Sequence, residues 1–251
     1  MLGDNPKAAI DFYYWPTPNG WKVAILLEEL GLEYRVIPVN IAMGDQFTAA
    51  FTRLSPNQKI PAIYDHQPGF RSAEGGFPLF ESGAILAYLA EKVGQFIPDD
   101  PSGRWQCLQW VFWQVGGLGP MGGQAHHFRR YASQDIPYAR DRYTKECQRL
   151  YAVLNRQLQD RPYLCGDYSI ADMACIPWIY RHEWQGIDLA QYPQLHGWYD
   201  TLMAREAVQA AFALGEGWRG ENDFQSDVAR EVLFGSDRNR AGDGQTEEEE
   251  K

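Results

Sequence analysis

The ten residues Tyr13-Tyr14-Trp15-Pro16-Thr17-Pro18-Asn19-Gly20-Trp21-Lys22 constrain this chain more tightly than any other stretch. An apolar run from Ile10 to Trp15 ends abruptly in Pro, Thr, Pro, Asn and Gly, and a helical pattern from Val23 to Leu30 follows at once. Such a strand, turn and helix aim a hydroxyl and an amide at whatever lies over the helix N-terminus. Free backbone N–H groups and the helix dipole favour an anion there, and a thiol held at that point loses its proton more easily. No cysteine lies in the turn; the first in the chain is Cys107. Thiol chemistry at this spot would therefore use a sulfur carried in on a small molecule. Pro-Asn-Gly is also turn chemistry in its own right, so the turn reads as a site only with support from elsewhere.

Two further segments supply that support. In Ser55-Pro56-Asn57-Gln58-Lys59-Ile60-Pro61-Ala62-Ile63 a proline stands just before a short apolar strand. Proline is tolerated there, and Ile60-Pro61 is a candidate cis bond. Backbone bent that way can present Ile60 to a peptide-like ligand as an added strand would be held. In Pro78-Leu79-Phe80-Glu81-Ser82-Gly83-Ala84-Ile85 an acid and a hydroxyl open a second helix. Ser82 is suited to capping that helix or to binding a carboxylate, and Glu81 to binding an ammonium. Carboxylate and ammonium side by side describe an amino-acid head group. The Thr17 hydroxyl and the Asn19 NH₂ can each donate to a thiolate, and such charge-assisted bonds favour ionised sulfur.

Periodicity divides the chain in two. Residues 1–9 read as a loose leader. Ile10–Trp15 reads as a strand, Lys22–Leu30 as a helix with Gly31 at its C-terminal cap, Glu33–Asn40 as a strand and Gln46–Leu54 as a short helix. Ala62–Asp65 and Phe77–Phe80 form a strand pair joined by the polar segment 66–76, and Ser82–Val93 is a helix. Gly94–Pro101, with two prolines and two aspartates, is the natural linker. Beyond it the reading is helical, over Arg104–Val115, Asp141–Leu158 and Leu195–Arg205. Ser169 and Asp172 form a capping box, which gives Asp172 a structural role. After Gly215 the pattern fades into Gly, Asp and Arg and ends in the Glu247–Glu250 run, so 216–251 reads as a flexible tail.

The order T-P-N-G-x-K, N-x-K-I-P-A-I, F-E-S-G-A-I-L-x-Y-L resembles the thioredoxin-like domain of glutathione transferases. W-Q-V-G-G-L-G-P-M, then H-H-F through I-P-Y-A-R-D-R-Y, is similar to the bacterial nu class, described as glutathione-dependent disulfide-bond oxidoreductases. The likeness runs from about Ile10 to Leu214. It implies an α/β domain with a thioredoxin-like fold over residues 10–94, followed by an all-α domain over 102–215. It also implies glutathione as co-substrate, as one molecule, two, or the disulfide form, and a homodimer. Ile60 and Pro61 would then grip the peptide backbone, Glu81 and Ser82 the γ-glutamyl end, and Lys59 the glycyl carboxylate. Gln46 matches the family's G-x-Q-F in Gly44-Asp45-Gln46-Phe47. Arg142 would reach the site from the helical domain, with Arg140 its rival. Thr17 and Asn19 would orient or ionise the sulfur, and the substrates would be small-molecule disulfides. Conjugation of glutathione to apolar electrophiles, and glutathione binding without turnover, are the alternatives.

A net charge of −10 argues against nucleic acid and anionic membranes as partners. No apolar run is long enough to span a bilayer and no signal peptide opens the chain. Cys107, Cys147, Cys165 and Cys175 form no CxxC and no metal spacing, which fits buried thiols in a reducing, cytoplasmic setting and no metal. Gly117-Leu118-Gly119-Pro120-Met121-Gly122 matches GxGxxG, but no strand follows as dinucleotide binding requires. His126 and His127 are adjacent and on a helix would point apart. Trp110 and Trp113 read as core or as the wall of an apolar pocket.

Overall fold

The computed structural model describes residues 8–70, 75–218 and 224–235. Most of the expected leader, and the expected tail beyond Gly235 with its glutamate run, lie outside these residues. The first domain is a four-stranded sheet in the order β2-β1-β3-β4. β1 (Ile10–Tyr14) pairs parallel with β2 (Tyr34–Pro38) and antiparallel with β3 (Ala62–Asp65), which pairs antiparallel with β4 (Phe77–Phe80). α1 (Pro18–Leu30) makes the parallel crossover, α2 (Ala49–Leu54) follows β2, and α3 (Ser82–Val93) follows β4. Phe12, Tyr14, Ile25, Leu26, Ile63, Ile85 and Leu89 are fully buried between sheet and helices. Each such side chain contributes about 1.5–3 kcal/mol by leaving water.

α1 starts at Pro18, four residues before the expected start at Lys22. Thr17 has extended backbone and accepts the Gly20 N–H at 3.4 Å, and Pro18 fills the first helical position, where no amide hydrogen is needed. Gly31 ends the helix in the left-handed region, φ 60°, as read from the sequence. The expected Gln46–Leu54 helix is two pieces, a 3₁₀ turn at Asp45–Phe47 and α2, because Thr48 breaks the run to cap the second.

The second part is helical: α4 (Pro101–Trp113), α5 (Gly119–His126), α6 (Pro137–Gln157), α7 (Ile170–Ile179), α8 (Pro193–Met203), α9 (Glu206–Ala213) and α10 (Asp227–Phe234). Asp100 caps α4, so the linker closes before Pro101. The Gly117–Gly122 motif lies inside helix, across a π-turn (Gln114–Leu118) and the start of α5, which excludes a phosphate loop. Its glycines serve packing: a Cβ at Gly122 would stand 2.9 Å from the Trp178 ring. The Ser169–Asp172 capping box forms, and Asp172 also accepts from Trp198 Nε1 at 2.8 Å. The expected flexible tail needs correction over 224–235. Ser226 caps α10, and Phe224, Ala229 and Val232 are buried against Trp15, Ala42 and neighbouring apolar groups.

The domains meet along α1, which packs on α7 and α9. Trp21 contacts the Tyr180 and Phe212 rings edge-on, and Arg205 forks onto Glu29 at 2.7 and 2.8 Å.

Candidate active site

The β1–α1 turn forms one wall of a cleft of about 590 Å³. Thr17, Asn19, Gln46, Lys59 and Ile60 all line it, although the sequence separates them by up to 43 positions. The opposite wall comes from Trp178 on α7 and from Val232 and Leu233 on α10.

Each polar group is set by a specific neighbour. The Thr17 oxygen already accepts an N–H of the first turn of α1, so its own proton is left to donate outward. Asn19 Oδ1 accepts from Trp178 Nε1 at 3.3 Å. An indole can only donate, so this bond fixes which end of the amide is the oxygen and leaves the NH₂ as a donor to the cleft. Trp178 is itself held by stacking on His126, ring centroids 5.6 Å apart, whose imidazole burial pushes down to about 3. Gln46 is buried and donates to Ile41 O at 3.1 Å, while its Oε1 has no hydrogen-bond partner. A buried orphan acceptor costs free energy unless something donates to it.

Ile60–Pro61 is cis. Pro61 is buried behind the cleft, and Lys59 is exposed at its rim, with its carbonyl accepting from Ser55 Oγ at 2.9 Å. The β3–β4 register sets Ala62 opposite Phe80, which brings the Glu81–Ser82 turn beside Pro61. Glu81 is exposed and stands at φ 72°, ψ 111°, a conformation that costs a non-glycine residue on the order of 1–3 kcal/mol. Ser82 is not the cap the sequence suggests. It is the first residue of α3, and its Oγ accepts from Lys22 Nζ at 3.2 Å.

Pro61, Glu81 and Ser82 are not among the residues lining the cleft, and neither is Arg142. It is exposed on α6 near Glu146, and Arg140 pairs with Asp135 at 2.7 Å instead. Sequence reasoning gave no role to Trp178, Lys22 or Gln114, and missed α10. Only α10 left a readable signal: Ser226 as cap, apolar residues at 228, 229, 232 and 233, and Gly235 after the end.

Trp110 and Trp113 pack edge-on, centroids 5.2 Å apart, against the core rather than lining this cleft. Among the described residues, no group of three or more His, Cys, Asp or Glu could hold a metal ion, and no helix is long and apolar enough to cross a membrane.

Escherichia coli disulfide-bond oxidoreductase YfcG is 54% identical over 205 residues, spanning 80% of this chain and 94% of that protein. YghU of the same organism, also a disulfide-bond oxidoreductase, is 40% identical over 219 residues, spanning 81% and 74%. Among solved structures, a Pseudomonas putida glutathione transferase with one glutathione disulfide bound per subunit superposes with a TM-score of 0.77 at 41% identity, covering 84% of this chain and 93% of that one. A Burkholderia graminis glutathione transferase with two glutathione molecules bound per subunit gives the same TM-score and identity, covering 84% and 90%. The family models for the N-terminal and C-terminal domains of glutathione S-transferase match residues 8–91 and 130–206, one on each side of the cleft, and the chain belongs to the glutathione S-transferase family.

Proposed function

We propose that this protein is a glutathione-dependent disulfide-bond oxidoreductase whose reactive sulfur belongs to bound glutathione. The observation that carries the reading is a pair of outward donors, Thr17 and Asn19, over the N-terminus of α1 in a cleft that no cysteine lines. The likeness to YfcG and YghU supports the reaction class. The glutathione and glutathione disulfide in the related transferases support the ligand.

In this reading Ile60 and Pro61 hold the peptide, Gln46 Oε1 takes a ligand N–H, Lys59 meets the glycyl carboxylate, and Glu81 and Ser82 hold the γ-glutamyl head. Thr17 and Asn19 donate to the sulfur and stabilise it as thiolate. The thiolate attacks one sulfur of a small-molecule disulfide. The new S–S bond forms as the old one breaks, and the second half leaves as a thiolate that takes up a proton. A second glutathione thiolate then attacks the mixed disulfide, giving glutathione disulfide and the second reduced thiol. Arg142 enters this scheme only as a contact to the second glutathione when that molecule lies outward over α6.

The same reading takes the protein as cytoplasmic and homodimeric. Four free cysteines fit a reducing compartment. Trp105 and Phe112, seven residues apart on α4, are 66% and 64% exposed and offer an apolar face for a second copy. Val232 and Leu233 at the cleft favour one further reading, conjugation of glutathione to an apolar electrophile.

Rates measured side by side with a small disulfide and an aryl chloride test the assignment. Disulfide reduction should dominate and persist when all four cysteines are replaced. Faster conjugation, or turnover abolished by a cysteine replacement that still folds, would overturn it.

A further inference from the structure

Lys22 lies one turn into α1, behind the cleft, and is 1% exposed. A buried ammonium is costly unless it is paired. Its hydrogen-bond partners are two neutral oxygens, Ser82 Oγ at 3.2 Å and Gln114 Oε1. These come from the first residue of α3 and from the π-turn of the helical domain. Neither fold nor packing calls for a charge at this point, since a neutral side chain of similar length would fill the same volume.

The consequence falls on Ser82. A hydroxyl carries one proton and two lone pairs. An ammonium can only donate, so the Ser82 oxygen accepts from Lys22 and the Ser82 proton must be given elsewhere. The adjoining cation also polarises that O–H and strengthens it as a donor. We infer that Lys22 is a positioning residue that makes Ser82 an obligate donor, so that the Glu81–Ser82 turn selects ligands bearing an α-carboxylate. This rests on the reading that the turn holds the γ-glutamyl head group.

The selection carries its own pH dependence. Once Lys22 loses its proton, the neutral amine can accept from Ser82, and the donor to the ligand is lost. Burial pulls the Lys22 ammonium down to about 7, so the preference is full below that point and declines above it. The titratable groups that face Lys22 are Glu81, ahead of α3, and Cys175, on α7, whose thiol burial pushes up.

Calorimetric titration of the full chain with glutathione and with 4-aminobutyryl-cysteinylglycine, which lacks only the α-carboxylate, tests the inference. At about pH 6 the wild type should bind glutathione about tenfold or more tightly than the analogue. That ratio should fall to a few-fold in Lys22→Met and in Ser82→Ala. In the wild type it should also fall on going to about pH 8.5, while staying flat in Lys22→Met. A purely structural role would weaken both ligands alike and leave the ratio intact, which overturns the inference. If Lys22→Met does not fold, an undiminished ratio in Ser82→Ala does the same. A wild type that ignores the carboxylate overturns the assignment of the Glu81–Ser82 turn and this inference with it. A wild type that binds no glutathione overturns the functional reading itself.

Discussion

α1 and α3 both open at turns assigned to glutathione in the proposed function, yet their first turns are held by different means. At α1 the work is local: Thr17 caps its own helix, Pro18 supplies the first φ angle, and Gly20 lets the chain pass close to Trp15. At α3 the residue before the helix is strained at φ 72° and makes no side-chain cap, and the hydroxyl of Ser82 is claimed by a lysine 60 positions away. A locally built turn is rigid by its own sequence. A turn built by tertiary contact depends on charges and packing elsewhere, and can respond to them. In the proposed function the first kind of support falls to the sulfur and the second to the head group.

Removing donors from the α1 turn should have the largest effect. Thr17→Ala and Asn19→Ala each delete one bond to the thiolate, worth about 1.5–3 kcal/mol or roughly ten- to a hundredfold in turnover. Glutathione affinity should change much less. Thr17→Ser keeps cap and proton and should stay close to wild type. Steady-state rates of the three single variants check this, and full activity in the doubly substituted protein would remove the turn from the chemistry.

Gly20→Ala probes the same turn through packing. Its Cβ would stand 2.5 Å from Trp15 O and 2.8 Å from the Tyr14 ring. Overpacking against backbone costs roughly 1–3 kcal/mol, so the midpoint of thermal unfolding should drop by several degrees and turnover should fall with it. An unchanged melt would mean the turn is softer than its caps suggest.

On the α3 side, Glu81→Ala should weaken glutathione binding about tenfold, because the ligand ammonium loses its carboxylate. Glu81→Gly should weaken binding equally but melt higher than Glu81→Ala. Glycine adopts φ 72° without strain, and the difference should be about 1 kcal/mol. Equal melting points would show that the turn relaxes once the side chain is gone. The smallest effect is expected at Cys165, which is partly exposed and lines no wall of the cleft: Cys165→Ser keeps nearly the same shape and should leave turnover within about twofold.

How much could be read beforehand follows the same division. β3, β4 and α3 were legible to the residue because short apolar runs are bounded there by turn chemistry. So were the Gly31 cap and the Ser169 capping box, each set by neighbours three or four positions away. Of the two roles read for Ser82, the cap fails, because its actual partner, Lys22, lies 60 positions off, with Gln114 another 92 from that lysine. Asn19 was legible as a donor, but not the indole of Trp178, 159 residues later, that turns its NH₂ toward the cleft. Arg142 was carried over by likeness to a family. Here it stays on the outer face of α6, and a wall of the cleft comes instead from α10, which lies beyond both matched family domains.

The placement of the four thiols bears on survival. A catalyst that handles disulfides works amid reagents able to react with its own cysteines. Cys107, Cys147 and Cys175 are fully buried, and burial pushes the Cys147 thiol up to about 12 and the Cys175 thiol higher still. Exchange needs a thiolate and room for an approaching disulfide, and the Cys147 and Cys175 sites deny both; Cys107 lacks the room, while its hydrogen bond with Cys165 pulls its thiol down. Only Cys165 is partly exposed, at the loop ahead of α7 and away from the cleft. Burial thus withdraws Cys147 and Cys175 from exchange with the disulfides such a catalyst would meet, and leaves Cys165, beside Cys107, as the thiol that solvent reaches.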